Sequence, residues 1–253
     1  MAFVKARSLK FGAAATILCI AGTVTTAISA QAALPEAARI VKATQDLYGN
    51  VRTFSASITA ERSGKTPQGP FSEIIAEETY YKAPNVFYQH VHVTGTGVAA
   101  KVKEEIITTS NGSTIYAYDP VHKLYTKNPA PKKASPIAIL QLKFNLATAH
   151  IIRSTTMFGR PAYVIQVEAQ LSPKVLQLPK DKQALVHKQA QLLLTIDKAN
   201  HNLLQLYSAS TGLKESIKNQ VVNGAISPSR FHFTPPAGAK LFHPAAPPGM
   251  PGK

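Results

Sequence analysis

The side chains able to do chemistry are few and poorly placed for it. Eight histidines are spread over 253 residues. His90 and His92 stand two apart in an alternating run and share a strand face with Tyr88. Two imidazoles on one face can hold a metal, yet neither a carboxylate nor a third histidine stands at ligand spacing, so we read them as a solvated face. His122 falls in a turn and His243 in the C-terminal segment. The adjacent acids Glu77-Glu78 and Glu104-Glu105 point to opposite faces of a strand, which removes a shared acid/base dyad. Neither a Gly-x-Ser-x-Gly nor a Ser-x-x-Lys arrangement occurs, and Ser172-Pro173-Lys174 is loop composition. Gly95-Thr96-Gly97 lacks the third glycine and the following helix of a dinucleotide cradle. The one cysteine, Cys19, excludes a disulfide framework and a cysteine-based zinc site. We expect no catalytic residue, no cofactor and no metal, and therefore a binding protein instead of an enzyme.

The elements that would position such a binding surface begin after an address label. Residues 1–32 read as a cleavable signal peptide. Lys5, Arg7 and Lys10 form a basic start, 11–30 carry no charge, and Ala30-Gln31-Ala32 offers small residues at the cleavage positions. Leu18 before Cys19 argues against lipidation. Removing those three basic residues from the 28 leaves 25 against 13 acids, a mature charge of +12. The basic residues are scattered, and the knots Lys132-Lys133 and Lys180-Asp181-Lys182 are short and without interleaved aromatics, so nucleic acid is not an expected partner. The charge points to solubility and to transient contact with anionic head groups or an acidic partner. With 45% hydrophobic residues the chain can bury a core. The expected location is the periplasm.

One helix is expected over 34–48, with Pro35 in its first turn and Gly49-Asn50 as its stop. The period then becomes two. Phe54, Ala56, Ile58 and Ala60 alternate with polar residues, and further strands are expected over 71–82, 86–93, 102–110, 114–118 and 121–127. Asn111-Gly112 marks a tight hairpin. A proline-stiffened linker over 128–133 leads to a second helix over 135–144, apolar on several sides through Ile137, Ile139, Leu140, Leu142 and Phe144. Strands resume over 162–168, 190–197, 203–208 and 214–222, with 171–183 as a loop insertion. Phe231 and Phe233 anchor a last strand, and a flexible Pro/Gly-rich tail occupies 244–253. So many antiparallel strands with two helices predict a mainly β fold: an unclosed antiparallel barrel, or half-barrel, over 33–243, whose helices form a lid over an apolar cavity.

Four segments, in order, resemble the LolA-like family of periplasmic lipoprotein carriers. Asn50-Val51-Arg52-Thr53-Phe54-Ser55-Ala56-Ser57-Ile58 resembles its first strand, and Tyr81-Lys82-Ala83-Pro84-Asn85-Val86-Phe87 its proline step between strands. Residues 106–120 (IITTSNGSTIYAYDP) resemble its hairpin. Ser229-Arg230-Phe231-His232-Phe233-Thr234-Pro235-Pro236-Ala237-Gly238-Ala239 resembles its closing Phe-x-Phe-x-Pro-Pro-x-Gly. The resemblance implies a chaperone for lipoprotein transport, whose greasy interior shields acyl chains on the way to the outer membrane. Its implied partners are an acylated lipoprotein or lipid cargo, an inner-membrane transporter and an outer-membrane acceptor, with a monomer expected. A non-transporting envelope-stress sensor or interaction module on the same fold is the alternative. In the carriers an arginine directly before the proline latches the lid. Here Ala83 stands there, which leaves Lys82 and Arg62 as latch candidates.

The cavity wall is expected from Phe54, Ile58, Phe87, Val91, Ile115, Tyr118, Tyr163, Ile165, Leu192, Leu194, Leu204 and Leu206, with Ile139, Leu140 and Phe144 contributed by the lid. For any one of them, packed core is the competing role.

Overall fold

The computed structural model describes residues 34–97, 99–100, 103–133, 143–171, 175–177 and 179–242. The expected signal peptide, the tail, and Ile139 and Leu140 of the expected lid helix lie outside them. Helix α1 covers Glu36–Gly49, entered through Pro35, and buries Ala37, Ala38, Ile40, Val41, Thr44 and Tyr48 on one face.

Five hairpin-connected strands follow: β1 Thr53–Thr66, β2 Gly69–Lys82, β3 Val86–Gly97, β4 Lys103–Asn111 and β5 Thr114–Asp119, joined by β6 Leu124–Pro129. Then come β7 Phe144–Met157, β8 Arg160–Ala169, a 3-10 turn at Val175–Gln177 and helix α2 Lys180–Gln189. The chain closes with β9 Gln191–Asp197, β10 Leu203–Ser208, β11 Leu213–Val222, a 3-10 turn at Pro228–Phe231 and the two-residue β12 Lys240–Leu241.

All twelve strands form one sheet in the order β12-β6-β5-β4-β3-β2-β1-β11-β10-β9-β8-β7. Only the β12–β6 pair is parallel. Laid flat at roughly 4.8 Å per strand, such a sheet would span about 53 Å. Side chains from β1–β3 and β7–β11 instead converge with α1 on one buried cluster, so the sheet curls into an unclosed barrel with α1 on its concave side. Helix α1 packs chiefly on β7.

Three expectations need correction. Phe144 opens strand β7 and does not sit on a lid helix. The loop expected over 171–183 contains the start of α2, which buries no residue and leaves Leu185 exposed, so it has no apolar periodicity to betray it. After β11 the chain makes a 3-10 turn that ends at Phe231, and Phe233 follows outside any strand, in place of a last strand carrying both. Phe231 is nonetheless buried, and Phe233 sits among the rings of Tyr116, Tyr118 and Tyr125, at 5.0, 6.0 and 5.8 Å between centroids. The C-terminal segment is a strap across the outer face of β3–β6.

Candidate functional site

Strand register sorts every side chain into the concave or the outer face. Phe54 stands opposite Tyr81 and Val222; Tyr81 faces Phe87, Phe87 faces Ser110, and Ser110 faces Ile115. Because α1 packs on the Phe54 side, this whole row belongs to the concave face. On the other wing Ile165, Leu194 and Leu206 form one row, and Val167 with Leu192 another.

Of the residues expected to line a cavity, Phe54, Phe87, Phe144, Ile165, Leu192, Leu194 and Leu206 belong to the buried cluster packed with α1. Ile58, Ile115 and Tyr163 flank that cluster, partly buried. Val91 faces the concave side opposite Glu77, half-buried. Two residues lie elsewhere. Tyr118 points to the outer face, where it packs on Phe233, because it lies three residues from Ile115 and period two sends them to opposite sides. Leu204 falls at the break in register between Leu203 and Gln205 and lines a cleft with Phe158 and Arg160.

The β7–β11 wing is therefore filled by α1, and the β2–β5 wing is less so. On the concave side of that wing Ile75, Val91, Val93 and Ala117 are half-buried, and Ile106 is 37% exposed. These residues stand beside one another through the pairs Ile75–Val93 and Val91–Ile106. They form an apolar trough floor that sequence reasoning missed apart from Val91. Its signal was the alternation of Val91 and Val93 with His90 and His92, whereas Ile74-Ile75-Ala76 is apolar throughout and marks no face.

Carboxyls interrupt the apolar floor. Glu104 stands at its far end, opposite Val93. Glu77, between Ile58 and Val91, accepts a hydrogen bond from Gln89 Nε2 at 2.9 Å. Burial pushes its carboxyl above the ordinary carboxylate range, the Gln89 bond partly offsets this, and the charge of Glu215 adds to the rise. Glu215, opposite Ala60, is raised by burial as well. Neither Glu77 nor Glu215 has a cation partner among the described residues. Glu78, next in sequence to Glu77, faces outward and accepts from Tyr80 Oη at 2.6 Å.

Among the described residues, neither latch candidate has a hydrogen-bond or ion-pair partner on a helix. Arg62 pairs with Glu73 on the neighbouring strand at 2.8 Å and lies over the Phe71 ring at 5.6 Å. Lys82 is exposed and has no partner among the described residues. Helix α1 is held by other groups. Thr44 Oγ1 donates to the His201 carbonyl at 3.0 Å, and Tyr48 Oη joins Leu203 and Gln220. His90 sits on the outer face with Glu105 at 2.8 Å, an ion pair when protonated.

A family model described as predicted periplasmic protein (DUF2092) matches residues 37–242. No curated protein matches the chain. Among solved structures, the chain is similar to LprF from Mycobacterium bovis, with 11% identity over 76% of this chain and 95% of that one, at a TM-score of 0.43. An uncharacterized conserved protein from Thermus thermophilus shares 9% identity over 82% and 99% of the two chains, at a TM-score of 0.42. A LolA superfamily protein from Nitrosomonas europaea shares 9% identity over 78% and 97%, at a TM-score of 0.29.

Proposed function

Since the chain belongs to the DUF2092 family of predicted periplasmic proteins, we propose that it is a non-catalytic periplasmic carrier, which shields the acyl chains of a lipoprotein or related lipid on the way to the outer membrane. The observation that carries this reading is the apolar floor of the β2–β5 wing. Ile75, Val91, Val93 and Ile106 keep hydrocarbon surface uncovered on the concave side, while on the other wing most of the apolar concave side chains are buried with α1. An acyl chain laid along these residues would leave water at roughly 0.8 kcal/mol per methylene. A handful of such contacts shields a lipid tail without a nucleophile, a metal or a cofactor.

Lipid extraction and native mass spectrometry of protein purified from its own envelope test the proposal. An acylated species is expected to co-purify and to be lost from Val91→Asp and Ile106→Asp. These positions are partly open, so their variants can fold, whereas a charge at the fully buried Leu194 would unfold the core. Wild-type protein that carries no lipid and binds no hydrophobic dye would refute the carrier reading.

A further inference from the structure

The barrel has one end where β1, β3, β5, β8 and β10 begin and β2, β4, β7, β9 and β11 finish. The turns at 83–85, 112–113, 158–159 and 198–202 gather there. So do the Lys132-Lys133 knot, directly after the Pro131 carbonyl held by Asn85, and Arg52 at the exit from α1.

Arg52, Lys82, Lys132, Lys133, Lys198 and Lys218 are all exposed at or near this end. None of the six has an acidic partner among the described residues. Of the nearby acids, Asp46 pairs with Lys42, the buried Asp197 lies 2.5 Å from Arg160, and Glu36 and Glu78 accept from the hydroxyls of Tyr163 and Tyr80, so the cations outnumber them. The end is left strongly positive.

At its tip stands an aromatic ring in an unfavourable place. Phe158 and Gly159 form the two-residue turn between Met157 and Arg160, with φ of 53° and 74°. Such a turn needs positive φ at both positions and takes Asn-Gly or Gly-Gly without strain. A bulky aromatic at positive φ is disfavoured, and this one stays 42% exposed, so partial burial and the contact with Lys218 are what folding gains from it. Lys218 Nζ sits 4.8 Å from its centroid. Beside the ring lies a cleft of about 240 Å³ lined by Phe158, Arg160, Leu204, Lys218, Asn219 and Gln220 among others.

We propose that this end of the barrel docks on an anionic lipid bilayer, with Phe158 seated among the head groups and the cleft beside it taking a lipid phosphate. Cations without acidic partners match the surface potential of acidic lipid, and an exposed phenylalanine at a protruding turn can bury its apolar ring at the boundary between head groups and acyl chains. The docking face is separate from the concave floor, so it stands whatever that floor carries.

Flotation of the mature chain tests it, on vesicles of three parts phosphatidylglycerol to seven of phosphatidylcholine and on phosphatidylcholine alone. In about 0.1 M salt the acidic vesicles should bind roughly tenfold or more tightly, and the difference should collapse in about 0.5 M salt. Phe158→Gly, or Phe158→Asn if that variant is poorly expressed, should weaken binding by roughly fivefold while its melting temperature holds or rises, because the new residue suits the turn. The triple variant K132E/K133E/K218E should bind at least about tenfold more weakly, and K180E/K182E, on α2 at the opposite end, should stay within about twofold. Equal binding to neutral vesicles overturns the proposal. So does equal loss from the α2 variant, retention of binding by both Phe158→Gly and the triple variant, or capture of an acidic protein with no vesicle binding.

Discussion

Replacing Tyr48 by phenylalanine removes one oxygen from the interior and should loosen the helix that fills half of the barrel. The phenol accepts from the Leu203 backbone N–H at 2.9 Å and donates to Gln220 Oε1 at 2.5 Å, while Gln220 Nε2 donates to the Leu203 carbonyl at 2.6 Å. Leu203 is 2% exposed, so its N–H has no water to turn to once the phenol is gone. An orphaned buried donor costs about 1–3 kcal/mol. Gln220 is half-buried, so the second bond adds about 1 kcal/mol or less. The ring keeps its edge-on contact with Phe54, at 6.2 Å and 73°, and no cavity forms. The expected loss is therefore about 2 kcal/mol, roughly 4–8 °C in Tm for a domain of this size. Burial also holds the phenol protonated well past its ordinary value, so the loss should be the same throughout the neutral pH range. Urea unfolding reads it directly: the midpoint should fall with an unchanged slope, and Gln220→Ala on top of Tyr48→Phe should cost less than the two singles combined. A shift below about 0.5 kcal/mol would show that the phenol does not serve the Leu203 amide.

Three further outcomes follow from other groups. Asn85→Ala should cost about 2 kcal/mol in the same unfolding measurement, because Asn85 Nδ2 donates to both the Gly112 and Pro131 carbonyls at 2.8 Å and ties β6 to the hairpin. Glu215→Gln should be more stable than the parent at about pH 7.5 and equal to it near pH 4. The raised carboxyl keeps its proton in the folded chain after the unfolded chain has lost it, so parental stability declines as pH climbs through that interval, and urea midpoints at the two pH values check the sign. Phe233→Ala should cost about 2 kcal/mol, less than a fully buried phenylalanine because Phe233 is half-buried, and should change the near-ultraviolet circular dichroism of its three tyrosine neighbours.

The strands with clean alternation could be read directly from the residues. The hairpin expected at Asn111-Gly112 forms one residue later: Gly112, at φ 93°, and Ser113 stand between the strands, while Asn111 ends β4 and its Oδ1 accepts from the Ser113 and Thr114 amides at 3.0 and 2.9 Å. Strand β7 escaped because its register breaks twice, between Asn145 and His150 and between Ile151 and Arg153, which scrambles the period. Leu204 misled for the same reason: a break in register, invisible in a two-residue count, sends it away from Leu206. The concave floor was only partly legible. Alternation tells that Ile75 and Glu77 share a face, but which face is inside depends on where α1 settles, a tertiary fact. Phe158 gave no warning either, because an aromatic is an unusual choice at that turn.

The two borders of the sheet are finished differently. Along β6 the strap returns, and Lys240–Leu241 occupy the outermost hydrogen-bonding groups in parallel. Along β7 no strand of the described chain does the same, yet the two dislocations bend that margin, and Arg153 projects from it exposed. A bent, charged margin makes a poor template for a neighbouring molecule, which works against extension of the twelve-stranded ribbon by another copy along that side.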